Sequence, residues 1–192
     1  MDNQQLRTRI KKQRAALTDN EIKHKSDLIA NQLHASTQFI EAKHVAYYLP
    51  VSGEADPTSL FTGKTDKKEL YLPVLKQAGA TGLHFIKVHK ATLFETNKYG
   101  IQEPVGTSND LIEAEELDLV IAPLVSFDRQ GNRVGMGGGF YDRTFAFKQS
   151  LPIRKPLLIG YAYDFQCSDT LTPESWDVKL DGVVTESGLT LF

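Results

Sequence analysis

Leu117-Asp118-Leu119-Val120-Ile121-Ala122-Pro123 is the run on which the fold turns. Beyond Asp118 it is apolar without alternation, the texture of a strand buried on both faces. The run is far shorter than the ~20 residues a membrane span needs. Pro156–Tyr163 has the same texture. Val45–Leu49, closed by Pro50, and Glu69–Leu72, closed by Pro73, read as two more strands. Leu83–Val88 and Asp181–Thr185 complete the set.

Helical patterns surround and separate these strands. Leu6, Ile10 and Leu17 recur at helical spacing, and no proline interrupts the first 40 residues. Thr18 stands three residues before Glu21, a capping box, so a second helix is expected to start there with Ile22, Ile29 and Leu33 on one side. Pro57–Phe61 is weakly helical and Phe140–Lys148 more clearly so. Strands alternating with helices predict an α/β layer fold with a largely parallel sheet. Thr92–Glu116 is polar and turn-rich and carries Pro104 and Gly106; a loop of that length is either functional or a misreading of ordered elements. No linker composition divides the chain, so one domain over 1–192 is expected.

Composition narrows the class. Of 192 residues, 22 are Lys or Arg and 24 Asp or Glu, a net charge of −2 that gives no footprint for nucleic acid. The single cysteine, Cys167, excludes an internal disulfide framework. The polar start has no apolar signal-peptide core, so a cytoplasmic protein is expected, with neither membrane nor nucleic acid as partner.

The stretch richest in chemistry is Gly131-Asn132-Arg133-Val134-Gly135-Met136-Gly137-Gly138-Gly139-Phe140-Tyr141-Asp142-Arg143. It follows a buried strand and leads toward a helix. Four glycines within five positions suit a backbone that must bend or approach something closely. Bare N–H groups at a helix N-terminus form a phosphate cradle. Arg133 could add positive charge, and Asp142 could hold Mg²⁺ through one oxygen. The alternative is a tight turn packing a helix on the sheet. The spacing is neither a dinucleotide fingerprint nor a P-loop.

Four further segments qualify. Arg7, Lys11 and Arg14 share a face of the first helix, read chiefly as a solvated charged face. Tyr48–Pro57 leaves a strand end carrying Glu54 and Asp56, where Glu54 could read an amidine-like edge and Asp56 cap a short helix. Tyr99, in Asn97–Pro104, could stack on a flat ring or half-bury in a turn. Asp177 and Asp181 could meet at one site, or be solvated beside a buried Trp176. The five histidines show no zinc spacing. No Gly-x-Ser-x-Gly marks a serine nucleophile.

Taken in order, these segments resemble the 5-formyltetrahydrofolate cyclo-ligase family, also called 5,10-methenyltetrahydrofolate synthetase. The resemblance runs from the Leu6-Arg7 helix to Glu186, and residues 131–143 are its most diagnostic part. It implies a three-layer α/β/α fold like that of sugar-phosphate isomerases and CoA transferases. It implies an ATP- and Mg²⁺-dependent ring closure of 5-formyltetrahydrofolate to 5,10-methenyltetrahydrofolate, releasing ADP and phosphate; a monomer is expected.

Position by position, the resemblance assigns ATP contacts to Asn3, Gln4, Gln5, Leu6 and Arg7. It assigns further ATP contacts to Arg133, Val134, Gly135, Met136, Gly137, Gly138, Gly139, Phe140 and Tyr141. Leu49, Glu54, Tyr99, Met136 and Phe140 would border the folate, with Glu54 on the pterin edge. Arg133 and Asp142 would serve catalysis, and Asp142 with Asp181 the metal. Two positions depart from the pattern: Asn3 stands where the family often has Lys, and Gly138 where many members have a basic residue. Arg7, Arg133 and Arg143 are the candidates to supply that charge. A sugar-phosphate or CoA-ester enzyme on the same fold, and a non-catalytic folate-binding module, are the competing readings. No attached domain is expected, and with no basic surplus in the composition the module is the less favoured of these readings.

Overall fold

The computed structural model describes residues 2–61, 67–76, 81–150 and 155–192. Helices α1 (Asn3–Ala15), α2 (Asp19–His34) and α3 (Thr37–Glu41) come first. The strands are β1 (His44–Ala46), β2 (Glu69–Leu75), β3 (Leu83–Val88), β4 (Leu93–Thr96), β5 (Gln102–Val105) and β6 (Leu111–Ile112). They continue with β7 (Leu119–Ala122), β8 (Ser126–Phe127), β9 (Arg133–Val134), β10 (Leu157–Tyr161), β11 (Gly182–Thr185) and β12 (Gly188–Leu191). Two short helices, α4 (Phe140–Thr144) and α5 (Phe147–Ser150), precede β10.

Eight strands form the main sheet in the order β12-β11-β10-β7-β1-β2-β3-β6. The pairs from β11 through β10, β7 and β1 to β2 are all parallel, while β12 and β3 run antiparallel to their neighbours. The unbroken apolar character of β7 now has its cause. Leu119 and Ile121 enter the core on the α2 side with Ile29, Leu33, Val45 and Ile159. Val120 and Ala122 enter the opposite core with Leu124, Phe145, Leu158 and Val183. Period-two alternation thus feeds two apolar layers, and neither face has a polar position to spare.

The Thr18 capping box forms as expected: Glu21 N donates to Thr18 Oγ1 at 3.3 Å, and Thr18 N donates to Glu21 Oε2 at 2.9 Å. Three expectations need correction. Pro73 does not end β2, which continues to Leu75. Tyr47 N donates to Tyr71 O, so the backbone groups of Tyr71 and, two residues on, the nitrogen of Pro73 face the β1 side. The β1 ladder stops at the Ala46–Tyr71 pair, and there proline's missing N–H costs no ladder bond. Residues 92–116 are no long loop, because β4 and β5 pair as a hairpin and β6 adds an edge to the sheet. The helix expected over Phe140–Lys148 is broken into α4 and α5.

The chain reverses its direction of growth across the sheet at one place. From β1 it moves to β2 on one side. The later strands β7, β10 and β11 lie on the other. The segments leaving the carboxyl ends of β1 and β7 therefore flank a topological switch point, the usual ligand crevice of an open α/β sheet.

Candidate active site

Both flanking segments are shaped by specific side chains. After β7, β8 and β9 form a hairpin whose turn closes around Asp128. Its Oδ1 accepts from Gln130 N and Asn132 N, and its Oδ2 from Asn132 Nδ2 and Leu171 N, all at 2.8–3.0 Å. Asp128 is completely buried. These bonds outweigh its burial and hold its carboxyl below the usual range. Sequence reading passed over it, although Asp128 three residues before Gly131 is a turn signal. Gly131 has φ +81°, and an added Cβ would lie 2.8 Å from Leu180 O.

The hairpin launches the glycine loop, and α1 lies against it. Leu6 and Ile10 pack with Val125, Val134 and Leu171, so Leu6 is core and its neighbour Arg7 is left at the loop. Arg7 Nε donates to Gly135 O at 2.9 Å. A Cβ on Gly137 would lie 3.7 Å from the Arg7 guanidinium carbon. Arg143 reaches the same loop from α4, donating to Gly138 O at 2.6 Å with its guanidinium over the Phe140 ring. Arg7 and Arg143 therefore surround the loop with the positive charge that Gly138 itself lacks. Asn3 is partly buried at the first position of α1, and Gln4 and Gln5 are exposed. Gln5 also completes a capping box with Asp2.

The helix after the loop spans only five residues, so its N-terminus contributes little dipole. The loop presents a largely exposed backbone, with Gly137 and Gly139 at φ +99° and +60°, beside two guanidinium groups.

Arg133 does not point at the loop. Its Nη2 pairs with Asp142 Oδ1 at 2.7 Å and its Nη1 donates to Val178 O. Val178 N donates to the same Asp142 oxygen at 3.1 Å. Asp142 Oδ2 takes no hydrogen bond among the described residues. Asp181 is engaged elsewhere, accepting from Leu158 N at 2.7 Å and pairing with Lys148 Nζ at 3.0 Å. Asp177 forms a local turn with Glu174, and no hydrogen bond joins it to Asp181 among the described residues. Trp176 is exposed rather than buried. Among the described residues, no three acidic, histidine or cysteine side chains gather as a metal cage. The Asp142 oxygen that takes no hydrogen bond among the described residues could serve as a single protein ligand to Mg²⁺, which keeps most of its waters.

On the β1 side, Ser52 (φ +52°) and Gly53 (φ +72°) turn the chain tightly, bringing Glu54 back against α1. Glu54 and Arg14 are 5% and 2% exposed, with Arg14 Nη1 3.5 Å from Glu54 Oε1. The expected solvated basic face is thus wrong for Arg14, and Arg7 is half-buried on the loop. Lys11 alone of the three is exposed. Burial pushes the Glu54 carboxyl up, opposed by Arg14 and by the bond from Val51 N. Tyr141 lies within electrostatic reach of both Glu54 and Arg133, and burial, reinforced by Glu54, keeps its phenol neutral. Leu49 is half-buried on the segment leading to this turn. The β4–β5 turn completes the set. Tyr99, 57% exposed, meets Phe140 edge to face with ring centroids 6.1 Å apart, and Met136 is exposed on the glycine loop.

The chain as a whole is similar to known proteins. The sequence model of the 5-formyltetrahydrofolate cyclo-ligase family matches residues 1–186. The chain belongs to that family. The Escherichia coli K12 5-formyltetrahydrofolate cyclo-ligase is 36% identical over 179 residues, covering 93% of this chain and 97% of that one. The Haemophilus influenzae cyclo-ligase is 37% identical, covering 92% and 94%. The solved structure of Aquifex aeolicus 5,10-methenyltetrahydrofolate synthetase superposes with a TM-score of 0.82 at 31% identity, covering all of this chain and 93% of that one. Family membership bears out the ligase and folate assignments of the sequence. No helix among the described residues is long and apolar enough to cross a membrane.

Proposed function

We propose that the protein closes the ring of 5-formyltetrahydrofolate to 5,10-methenyltetrahydrofolate at the expense of ATP. The observation that carries this reading is convergence at the switch point. A glycine loop flanked by Arg7 and Arg143 lies on one side, and the Glu54 carboxylate on the other. Tyr99, Phe140 and Met136 lie beside the loop.

The N5-formyl group is an amide whose oxygen leaves poorly. In the proposed reaction that oxygen attacks the γ-phosphorus of ATP, and ADP departs. The N10 lone pair then attacks the activated carbon. Phosphate leaves with the former formyl oxygen, and N10 loses its proton to solvent. Such chemistry asks the protein mainly for positioning and for charge on the phosphates. Backbone N–H groups of residues 135–139 would take phosphate oxygens, with Arg7 and Arg143 offsetting their charge. Asn3 to Leu6 would place the start of α1 against the nucleotide. Arg133 would act from beneath the loop by fixing Asp142.

Mg²⁺ bound with the nucleotide would neutralise phosphate charge. Asp142 Oδ2 is its best-placed protein ligand. Asp181 would first have to release Lys148 and Leu158 N–H. Glu54 would accept from the pterin amidine edge, with Leu49 beside it, while Tyr99 and Phe140 flank the ring.

An absorbance assay with purified protein, 5-formyltetrahydrofolate, ATP and Mg²⁺ tests the reading. Growth of the methenyl absorbance, lost without ATP or with EDTA, is expected. Folate binding without turnover would indicate a binding module. No folate binding would favour a sugar-phosphate or CoA-ester enzyme.

A further inference from the structure

Arg14 stands two helical turns beyond Arg7 on α1. It is the largest fully buried side chain in the molecule's described part, and a cation there has a specific cost unless it is matched. Its Nη2 donates to Leu124 O, just past β7, while its Nη1 faces Glu54 on the segment after β1. One guanidinium therefore bridges the two segments that flank the switch point. Gly53 permits this closeness: a Cβ there would lie 3.2 Å from both Cβ and O of Arg14, and its φ is +72°.

We propose that Arg14 is a positioning residue for folate recognition, holding Glu54 ionised and aimed while pinning the β1 segment to the β7 segment. The proposal rests on the pterin-reading role given to Glu54 above. Glu54 faces Arg14 from α1, Tyr48 from the segment after β1 and Tyr141 from α4. Burial keeps both phenols neutral, so Arg14 supplies the positive charge that opposes the desolvation of Glu54. A protonated Glu54 would present a hydroxyl to a donor edge and lose one acceptor. The same helix thus serves both substrates, through Arg7 at the nucleotide loop and Arg14 behind the folate carboxylate.

The test is calorimetric titration of 5-formyltetrahydrofolate into Arg14→Met, Arg14→Lys, Glu54→Gln and the Arg14→Met/Glu54→Gln double variant, with the KM for ATP measured alongside. Arg14→Met should weaken folate binding by about tenfold or more at neutral pH, the loss of a charged buried partner. Its affinity should recover as pH rises and Glu54 ionises unaided. Glu54→Gln should be weak at every pH, and the double variant no weaker than Glu54→Gln. Arg14→Lys, which keeps the charge, should bind better than Arg14→Met without the alkaline recovery, and it serves if Arg14→Met does not fold. Weak Glu54→Gln binding beside normal Arg14 variants would reject the role of Arg14 alone. Parallel loss of folate and ATP affinity with no pH recovery would reduce Arg14 to a structural residue. Normal folate binding by Glu54→Gln would overturn the pterin reading and this proposal with it.

Discussion

Arg133 Nη2 and Asp142 Oδ1 lie 2.7 Å apart, and that same oxygen accepts from Val178 N. The contact ties the hairpin that launches the glycine loop to the helix that follows it. Asp142 thereby has a structural oxygen and one that takes no hydrogen bond among the described residues. Asp142→Asn keeps an acceptor for Val178 but leaves Arg133, 5% exposed, without its counter-charge. It should cost about 1–3 kcal/mol in urea unfolding. MgATP-dependent turnover should fall far more than folate affinity, and equal loss of both would remove the metal role.

Arg7 differs in kind, because its guanidinium flanks the exposed loop rather than a buried partner. Arg7→Ala should raise the KM for ATP by about tenfold or more, as loss of a charged hydrogen bond to phosphate does. The KM for folate should change little. Steady-state kinetics with each substrate varied in turn separates the two, and a folate-side effect would place Arg7 in the wrong half of the crevice.

Glu54→Gln removes the carboxylate while keeping its size. The folate KM should rise by about tenfold or more, since a donor edge then meets an amide in place of a charge. ATP affinity should stay near that of the parent. If ATP affinity moved instead, Glu54 would belong to the nucleotide.

Asp118 offers a stability test away from the crevice. It accepts from Lys43 N and His44 N at 2.8 and 2.9 Å, and from Lys155 Nζ at 2.6 Å. Partial burial favours its neutral form, but these bonds prevail and hold its carboxyl down at about 2. A depressed carboxyl stabilises the fold above its unfolded value, near ~3.9, and the contribution fades as pH falls through the folded value. Asp118→Asn should therefore lower stability at neutral pH and flatten its fall between about pH 4 and about pH 2. Urea unfolding across that range reads the slope, and an unchanged slope would show that Asp118 does not control it.

The elements legible in sequence are those set by local pattern. β7 and β10 announced themselves because burial on both faces leaves no polar positions, and the Thr18–Glu21 cap because it is a local exchange of hydrogen bonds. Features that depend on distant partners were hidden. Arg14 has the sequence surroundings of a solvated lysine-rich face, and only Glu54 and Leu124, far along the chain, explain its burial. The β4–β5 hairpin carries exposed apolar side chains at Leu93, Phe94 and Val105, without the alternation that signals a half-buried strand. β12 follows β11 through a turn too short to register as a separate element.

The central claim is that ATP activates the formyl oxygen itself. The most direct measurement uses 5-formyltetrahydrofolate carrying oxygen-18 in its formyl group, with mass analysis of the phosphate released. Transfer of the label into phosphate, matched to the methenyl product formed, is the predicted result. Methenyl product with the label in water and unlabelled phosphate would contradict it, because the phosphoryl group would then never have reached that oxygen.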